Sequence, residues 1–513
     1  MNSATPISSN SPATATQSVW LSDARVQVLA IIAVATALKL AVSPLVGLGT
    51  NEAYAIASGR LMSLSYFDHP PLHFWLAHLC ELIFGDNSAA RIPFILLSAA
   101  TSWMMFALTR RLFGDRAGVW ATLTLNLSVF FNLVSGNWIL PDGPLNFFLL
   151  ATALVLVPTA QGRSLNNKNW LAAGLLAGLA ALSKYHAFLF LAGYLVFLLA
   201  DGDRRRMLLT PGPWLAGAVA LAVISPVLIW NASQGWASLR FQGGRAMPHH
   251  LGVGLFLSLL SAQIAVLLPG ALIPLIAGTR EALSSRNSEE QFLLWLGLPI
   301  VVLFTFIPLV TDNGMMQWAM PGWLMLLPLA GRFLDERSRA RLSIGPGMFF
   351  IAAVLFAATV AAGLEFQSGW LGTAFPHMFK RRDPTADNAN WVPLAPIAQS
   401  DPKRTFALAS SWREAAKIDE ALGGKYRVIV ASNDPRNFAI DLDPTTLDGK
   451  NGWIVLPRPL RAQSENTVRA CFRQSTYAAS LIVARNERPD ASLIVFRGDG
   501  FRQSRCNLVA FKR

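Results

Sequence analysis

Charge is what this chain has least of. Asp, Glu, Lys and Arg make up 14% of its 513 residues, against about 25% in an ordinary soluble domain. That excludes a soluble protein of about three globular domains, which the length alone would suggest. Cysteine is scarcer still. Cys80, Cys471 and Cys506 have no metal-ligand spacing, which argues against a zinc site; one disulfide, Cys471 to Cys506, stays open if that region meets an oxidising compartment. Gly-rich phosphate loops and Rossmann-type patterns are missing as well, so the sequence offers no ordinary nucleotide site. Internal repeats are also absent, unlike the repeated halves of many secondary transporters.

Apolar residues are what the chain has in quantity: 53% of it, with a mean hydropathy of +0.40. Several runs reach roughly 18 residues, enough to cross a hydrocarbon core about 30 Å thick as a helix. Runs such as VQVLAIIAVATALKLAV do not alternate, which excludes an outer-membrane barrel. The sequence therefore predicts a polytopic α-helical membrane protein whose first partner is the lipid bilayer. A net charge of +13 would suggest nucleic acid for a soluble chain, but no base-stacking or groove-entering element accompanies it, so no nucleic acid is expected. The arginines collect in short loops between apolar runs, as orientation by the positive-inside rule requires.

Residues 1–22, rich in Ser, Thr, Ala and Pro without a basic start, read as a disordered cytoplasmic tail rather than a signal peptide. Eleven spans are expected, near 26–48, 91–109, 117–134, 143–159, 170–183, 185–200, 213–230, 251–278, 291–310, 319–331 and 345–365. The loops with Arg110, Arg111 and Arg116, Arg163 and Lys168, Arg204 to Arg206, Arg280 and Arg286, and Arg332 to Arg341 then share the cytoplasmic side. The 49–90 loop, the short 134–142 and 311–318 loops and the 231–250 loop fall opposite, together with the C-terminus.

From about Phe375 charged residues become frequent and short β-rich stretches appear: YRVIVAS, GWIVLP, SLIVAR, SLIVFRG and CNLVAFK. A small α+β soluble domain is expected there, with one helix in SSWREAAKIDEALGG capped by Ser411 and stopped at Gly423–Gly424. The expected division is a tail at 1–22, a transmembrane domain at 23–370 and a periplasmic domain at 371–513.

A carboxylate near lipid is costly and usually has a task. Before the soluble domain, Glu52, Asp68, Glu81, Asp86, Asp142, Asp312 and Glu365 are the candidate acids outside the arginine-rich loops. Glu52, in TNEAYAIASGR, and Asp142, in SGNWILPDGPL, fall at the same rim of the bundle and are the catalytic candidates. Their plain readings are a helix N-terminal acid after Thr50 and turn chemistry after Pro141. Between them SLSYFDHPPLHFWLAH sets Asp68, His69 and His73 beside a rigid Pro70–Pro71 pair in an outer loop.

In order along the chain, NEAY at 51–54, SYFDHPPL at 65–72, LPDGPL at 140–145, LSKYHA at 182–187, PVLIWN at 226–231, FQGGRA at 241–246 and QWAMPGWLMLLPL at 317–329 resemble the GT-C type membrane glycosyltransferases. The specific likeness is to the bacterial protein-mannosyltransferase-like branch, which includes the aminoarabinose and galacturonic acid transferases of lipopolysaccharide. The resemblance covers roughly residues 45–335. It implies an inverting transfer at the outer face of the inner membrane, from a sugar on a polyprenyl phosphate to an envelope glycolipid, with lipopolysaccharide core or lipid A as acceptor.

Two positions depart from the family. Its acidic pair at the end of the first span reads Asn51–Glu52 here, and Asn51 cannot be a base, so either Glu52 or Asp142 takes that role or the chain has a weakened or altered activity. Gln317 stands where His is expected, and a neutral amide binds oxygen but shuttles no proton. Lys184 and Arg245 are the candidates for the donor phosphate; Gly243 and Gly244 beside Arg245 allow close backbone approach, and a guanidinium fork suits phosphate. Asn51, Tyr54, Asp68, His69, Tyr185, Asn231, Gln242, Gln317 and Trp318 complete the expected substrate-binding set. No cofactor is expected, and a divalent cation is left open without a His/carboxylate cluster of ligand spacing. The competing readings are a transporter of a glycan or lipid and a non-catalytic relative that binds polyprenyl lipid or glycan.

Overall fold

A computed structural model describes residues 23–84, 87–245, 247, 251–267, 270–311, 313–339, 344–375, 384–397, 399, 401, 405–458, 462–485, 488–506 and 508. The expected tail at 1–22, Asp86, Asp312 and most of CNLVAFK lie outside these residues. Among the described residues six helices are long and apolar enough to cross a membrane: Ala24–Leu45, Ala89–Phe113, Asp142–Ala160, Pro211–Ser233, Ser288–Leu309 and Phe350–Ser368. The chain is a multi-pass membrane protein. Helices at Asp115–Asn126, Asn167–Ser183, Ala187–Leu199 and Met320–Arg339 occupy four more of the expected spans.

The structure differs from the expectation in three places. The run at 251–278 is two helices, Val253–Leu267 and Leu272–Leu283, and the sequence between them contains Pro269–Gly270, residue types that disfavour a helix interior. The run at 117–134 stops as an α-helix at Asn126 and continues as a π-turn at Phe130–Val134. The 49–90 loop carries two helices, Thr50–Gly59 and Leu72–Phe84.

Contacts between loops collect the arginines at one end of the bundle. Gln161 Nε2 donates to the Arg111 carbonyl at 3.3 Å and to Glu289 at 2.8 Å, Arg204 donates to Ser288 at 3.0 Å, Arg116 pairs with Asp335 at 3.2 Å, and Arg332 pairs with Glu290. Small residues set helix spacing. Gly174 and Gly178 let Asn167–Ser183 press on Pro211–Ser233 so closely that a Cβ at Gly174 would strike the Ala216 carbonyl and one at Gly178 would lie 2.6 Å from Val223. Close approach through small residues is how helices associate where lipid supplies no hydrophobic drive.

At the other end sits a five-stranded sheet, β1 Thr405–Ala409, β2 Val428–Val430, β3 Asn451–Arg458, β4 Phe472–Arg485 and β5 Arg488–Phe501, in the order β2-β1-β3-β5-β4. β1 runs parallel to β2 and β3, whereas β5 is antiparallel to β3 and β4. The helix between β1 and β2 is Trp412–Ala421, with the Ser411 hydroxyl accepting from Glu414 N at 3.4 Å and Gly423 and Gly424 at positive φ. Cys471 and Cys506 are disulfide-bonded. Alternation along the strands sends Phe406, Leu408, Ile429, Ile454 and Leu456 to one core. The other face, with Ala407, Val428, Val430, Val455 and Val495, shares a core with Trp412, Ile418 and Tyr54, Ile56 and Phe74 of the 49–90 helices. That shared core seats the sheet domain on the bundle. Lys417 Nζ donates to the Leu48 carbonyl at 2.9 Å, Asn437 Nδ2 to Ser58 at 3.0 Å, and Arg60 pairs with both Asp419 and Glu81.

Candidate functional site

Thr50–Gly59 begins just after the first span, and its third residue, Glu52, accepts from Gly49 N at 2.9 Å. The same carboxylate is gripped by Arg91, Nε to Oε1 at 2.7 Å and Nη2 to Oε2 at 2.6 Å. The remaining Arg91 N–H groups donate to the carbonyls of Ser43, Val46 and Gly47 at 2.8, 2.7 and 3.0 Å. Ile139 N adds a donor to Oε1 at 3.2 Å. Glu52 is 3% and Arg91 2% exposed. With both oxygens engaged by a bidentate cation, Glu52 ties the end of the first span to the next long helix and to the segment leading to Asp142.

Asp142 opens the Asp142–Ala160 helix behind Pro141 and pairs with Lys184 at 2.9 Å, both side chains buried. Lys184 is the break between two helices, extended at φ −160° and ψ 143°. That geometry turns it into the bundle instead of letting it snorkel outward. Lys184, Tyr185 and His186 then line a cavity of about 250 Å³, with His69, Gln242, Arg245 and Trp318 around the rest of its polar rim. Leu189, Leu303, Phe304 and Ile307 form its apolar wall.

Arg245 ends the Ala237–Arg245 helix, its guanidinium 4.6 Å from the Trp318 ring and 5.5 Å from Phe241. Among the described residues no carboxylate pairs with it. Burial, then the repulsion of nearby Arg436, lowers its affinity for its own proton. His69 is pushed well below the usual imidazole range by burial and by Lys184, Arg436 and Arg245. His69 Nδ1 and His186 Nε2 are buried without a hydrogen-bond partner. The cavity is thus lined by cations and neutral imidazoles, a setting for an anion beside apolar groups.

Asp68 stands at the seam between bundle and sheet domain. Tyr54 donates its phenol to Oδ1 at 3.0 Å, Arg436 Nη1 donates to Oδ2 at 3.1 Å, and the Gln242 amide donates to the Asp68 carbonyl. Arg436 comes from the loop after β2, sits at φ +48° and stacks 4.0 Å from Trp412. Among the expected site residues, His69, Lys184, Tyr185, Gln242, Arg245 and Trp318 meet in one cavity; Asp142 joins through Lys184, and Asp68 and Tyr54 through Arg436 and Gln242. Asn51 is exposed. Asn231 is buried at the corner before Ala237–Arg245, where it accepts from Leu239 N at 3.3 Å and donates to the Val227 carbonyl at 2.9 Å. Gln317 does not line the cavity; its amide faces the Met315 sulfur. Among the described residues no three His, Cys, Asp or Glu side chains are grouped to hold a metal.

Sequence reasoning missed Arg91, His186 and Arg436. His186 lies inside a quoted motif and could have been found there. Arg436 is 191 positions beyond Arg245 (436 − 245) in a domain without a recognisable motif, so nothing in its neighbourhood signals a role.

A cation-lined cavity at the rim of a helical bundle that carries a small sheet domain is a polytopic architecture of the GT-C type, and the comparisons with known proteins point the same way. Residues 68–230 match the family described as dolichyl-phosphate-mannose-protein mannosyltransferase. ArnT from Cupriavidus metallidurans bound to undecaprenyl phosphate superposes with a TM-score of 0.62 at 17% identity, over 91% of this chain and 97% of that one. The undecaprenyl phosphate-alpha-4-amino-4-deoxy-L-arabinose arabinosyl transferase of Pseudomonas aeruginosa (strain LESB58) is 25% identical over 340 residues, 60% of this chain and 58% of the relative. That of Proteus mirabilis (strain HI4320) is 21% identical over 330 residues, 58% of this chain. The chain thus spans somewhat over half the length of the curated relatives it matches.

Proposed function

We propose that this chain is an inverting glycosyltransferase of the inner membrane. It moves one sugar from a polyprenyl-phosphate carrier to an envelope glycolipid on the periplasmic face, with lipopolysaccharide core or lipid A as acceptor ahead of a protein hydroxyl. The observation that carries this reading is Arg245, a cation without a carboxylate partner among the described residues, held between aromatic rings at the mouth of a partly apolar cavity. Arg245 and Lys184 would hold the donor phosphate, with His69 beside it. Tyr185, Gln242 and Trp318 would contact the sugar. Asp142, linked to the cavity through Lys184, is the proposed base that takes the acceptor proton as its oxygen attacks the anomeric carbon and the carrier phosphate leaves. Glu52, bonded on both oxygens, holds the platform on which Asp142 stands. The arginine-rich end is cytoplasmic on this reading, which places the N-terminus inside and the domain at 371–513 in the periplasm.

The test is mass spectrometry of lipid A, core oligosaccharide and other envelope glycans from cells lacking the gene, complemented with wild type, Arg245→Gln or Asp142→Asn, together with polyprenyl-phosphate binding by the purified proteins. Loss of one defined sugar mass, restored by wild type alone, with binding kept in Asp142→Asn and weakened in Arg245→Gln, is expected. Full restoration by both variants overturns the site. Binding without any glycan change identifies a non-catalytic lipid-binding relative, and neither binding nor glycan change redirects attention to transport.

A further inference from the structure

A second cleft lies at the opposite, arginine-rich end of the bundle, between Leu272–Leu283 and Met320–Arg339. It encloses about 860 Å³. The two helices are in backbone contact at Gly278, where a Cβ would lie 2.5 Å from the Leu329 carbonyl oxygen, and the cleft follows the exposed face beside that crossing. Its inner part is apolar: Ile273 is 70% and Ile276 48% exposed, and Phe333 forms the facing wall. Its outer part carries Arg280, Glu281, Ser284 and Arg337.

Ile273, Ile276 and Arg280 share one helix face, so the lining changes from apolar to cationic over seven residues, about 10 Å at 1.5 Å per residue. That is the polarity and length of a phospholipid from its upper acyl chain to its phosphate. The charges are not cancelled locally. Glu281 is divided between Arg332 at 3.7 Å and Arg337 at 3.9 Å, and Arg280 has no ion-pair partner among the described residues. A wholly apolar lipid-facing cleft would take any lipid; an unpaired Arg280 beside an Arg337 that has only a share in Glu281 selects a negative headgroup.

We infer that this cleft binds one phospholipid with an anionic headgroup from the leaflet opposite the donor cavity, its phosphate held by Arg280 and Arg337 and an acyl chain laid along Ile273, Ile276 and Phe333. The full-length protein in lipid nanodiscs, released for native mass spectrometry, tests this with phosphatidylglycerol against phosphatidylcholine, and melting in detergent compares each lipid with inorganic phosphate. One retained phosphatidylglycerol, favoured at least fivefold over phosphatidylcholine and raising the melting temperature, is expected. The preference should vanish in Arg280→Gln/Arg337→Gln. Ile276→Trp, which fills the cleft and leaves both charges, should expel either lipid, and it tests the proposal even where the double variant does not fold. Equal retention of both lipids by wild type, an unchanged preference in the double variant, or equal stabilisation by inorganic phosphate alone would overturn it.

Discussion

Glu52 offers the sharpest division between a catalytic and an architectural acid. Arg91 makes five hydrogen bonds, two to the Glu52 carboxylate and three to the carbonyls of Ser43, Val46 and Gly47. Arg91→Met leaves a buried carboxylate without its counter-charge and three carbonyls without their donor. Removing one partner of a buried pair costs about 3–5 kcal/mol, so the single variant should melt well below wild type. Glu52→Gln keeps the shape and an oxygen for Gly49 or Ile139 but strands the guanidinium, and should fall by a similar amount.

When both residues are changed together neither charge is left alone, so the double variant should lose much less than the two singles combined, with a coupling energy of about 3 kcal/mol. Denaturant unfolding of the four purified proteins in one detergent measures this cycle, and sugar transfer measured on the same samples separates stability from chemistry. A base would behave otherwise: Glu52→Gln would melt with wild type while transfer disappeared. A Glu52→Gln protein of unchanged stability, with a coupling below about 1 kcal/mol, would refute the structural role argued for this pair.

Arg436→Ala should lower kcat/KM for the donor by about ten- to a hundredfold, the equivalent of one hydrogen bond to a charged group. Arg436→Lys should recover little, because an ammonium does not reproduce both the bond to Asp68 and the stacking on Trp412; steady-state kinetics beside melting curves check both. Because His69 is held below its ordinary value, the unfolded chain binds more protons than the folded one beneath about pH 6.5. Its contribution is therefore complete above that value and lost as pH falls, and melting from pH 7.5 to 5 should show a shallower acid loss in His69→Gln than in wild type. Asp419 has the opposite sign. Burial pushes its carboxyl up to about 6 from 3.8, so its contribution declines as pH rises through that window, and Asp419→Asn should remove the decline from the same series. Gly174→Leu forces a side chain into the Ala216 backbone and should cost about 1–3 kcal/mol by overpacking, read as a lower melting temperature with the other helix crossings unchanged.

Much of this molecule was legible because lipid imposes a one-dimensional code. Length and apolarity located the long helices, arginines marked a common end, and Ser411 with Gly423–Gly424 marked the bounds of the soluble-domain helix. The break inside 251–278 was harder, since the residues on both sides are equally apolar and hydropathy does not register a change of helix direction. At the site, the motifs delivered residues whose roles are set by local backbone: Lys184 at a helix break, Arg245 at a helix end, His69 beside two prolines. They do not separate the two acids. Glu52 and Asp142 read alike in sequence as acids at a rim; only the partner separates them, and Arg91 and Lys184 stand 39 and 42 positions away. Asp68 meets Arg436 across 368 positions, a pairing created by the docking of the sheet domain, which pattern reasoning does not reach.

The partners also fix what the cavity can accept. Lys184 is matched by Asp142 and Arg436 by Asp68, so the two acids near the cavity are already neutralised, and Arg245 is left as the cation that a ligand must answer. On the proposed reaction the donor is a phosphodiester with one negative charge, which balances Arg245 alone. The released carrier is a monoester, nearer −1.5 to −2 at neutral pH; as Asp142 takes the acceptor proton, Lys184 loses its counter-charge and is free to answer the second one. His69 lines the same cavity, and its affinity for a proton would rise beside a second phosphate charge. On this reading the proton that Asp142 takes up and the cation it releases both favour departure of the carrier phosphate, which ties the direction of transfer to the Asp142–Lys184 pair.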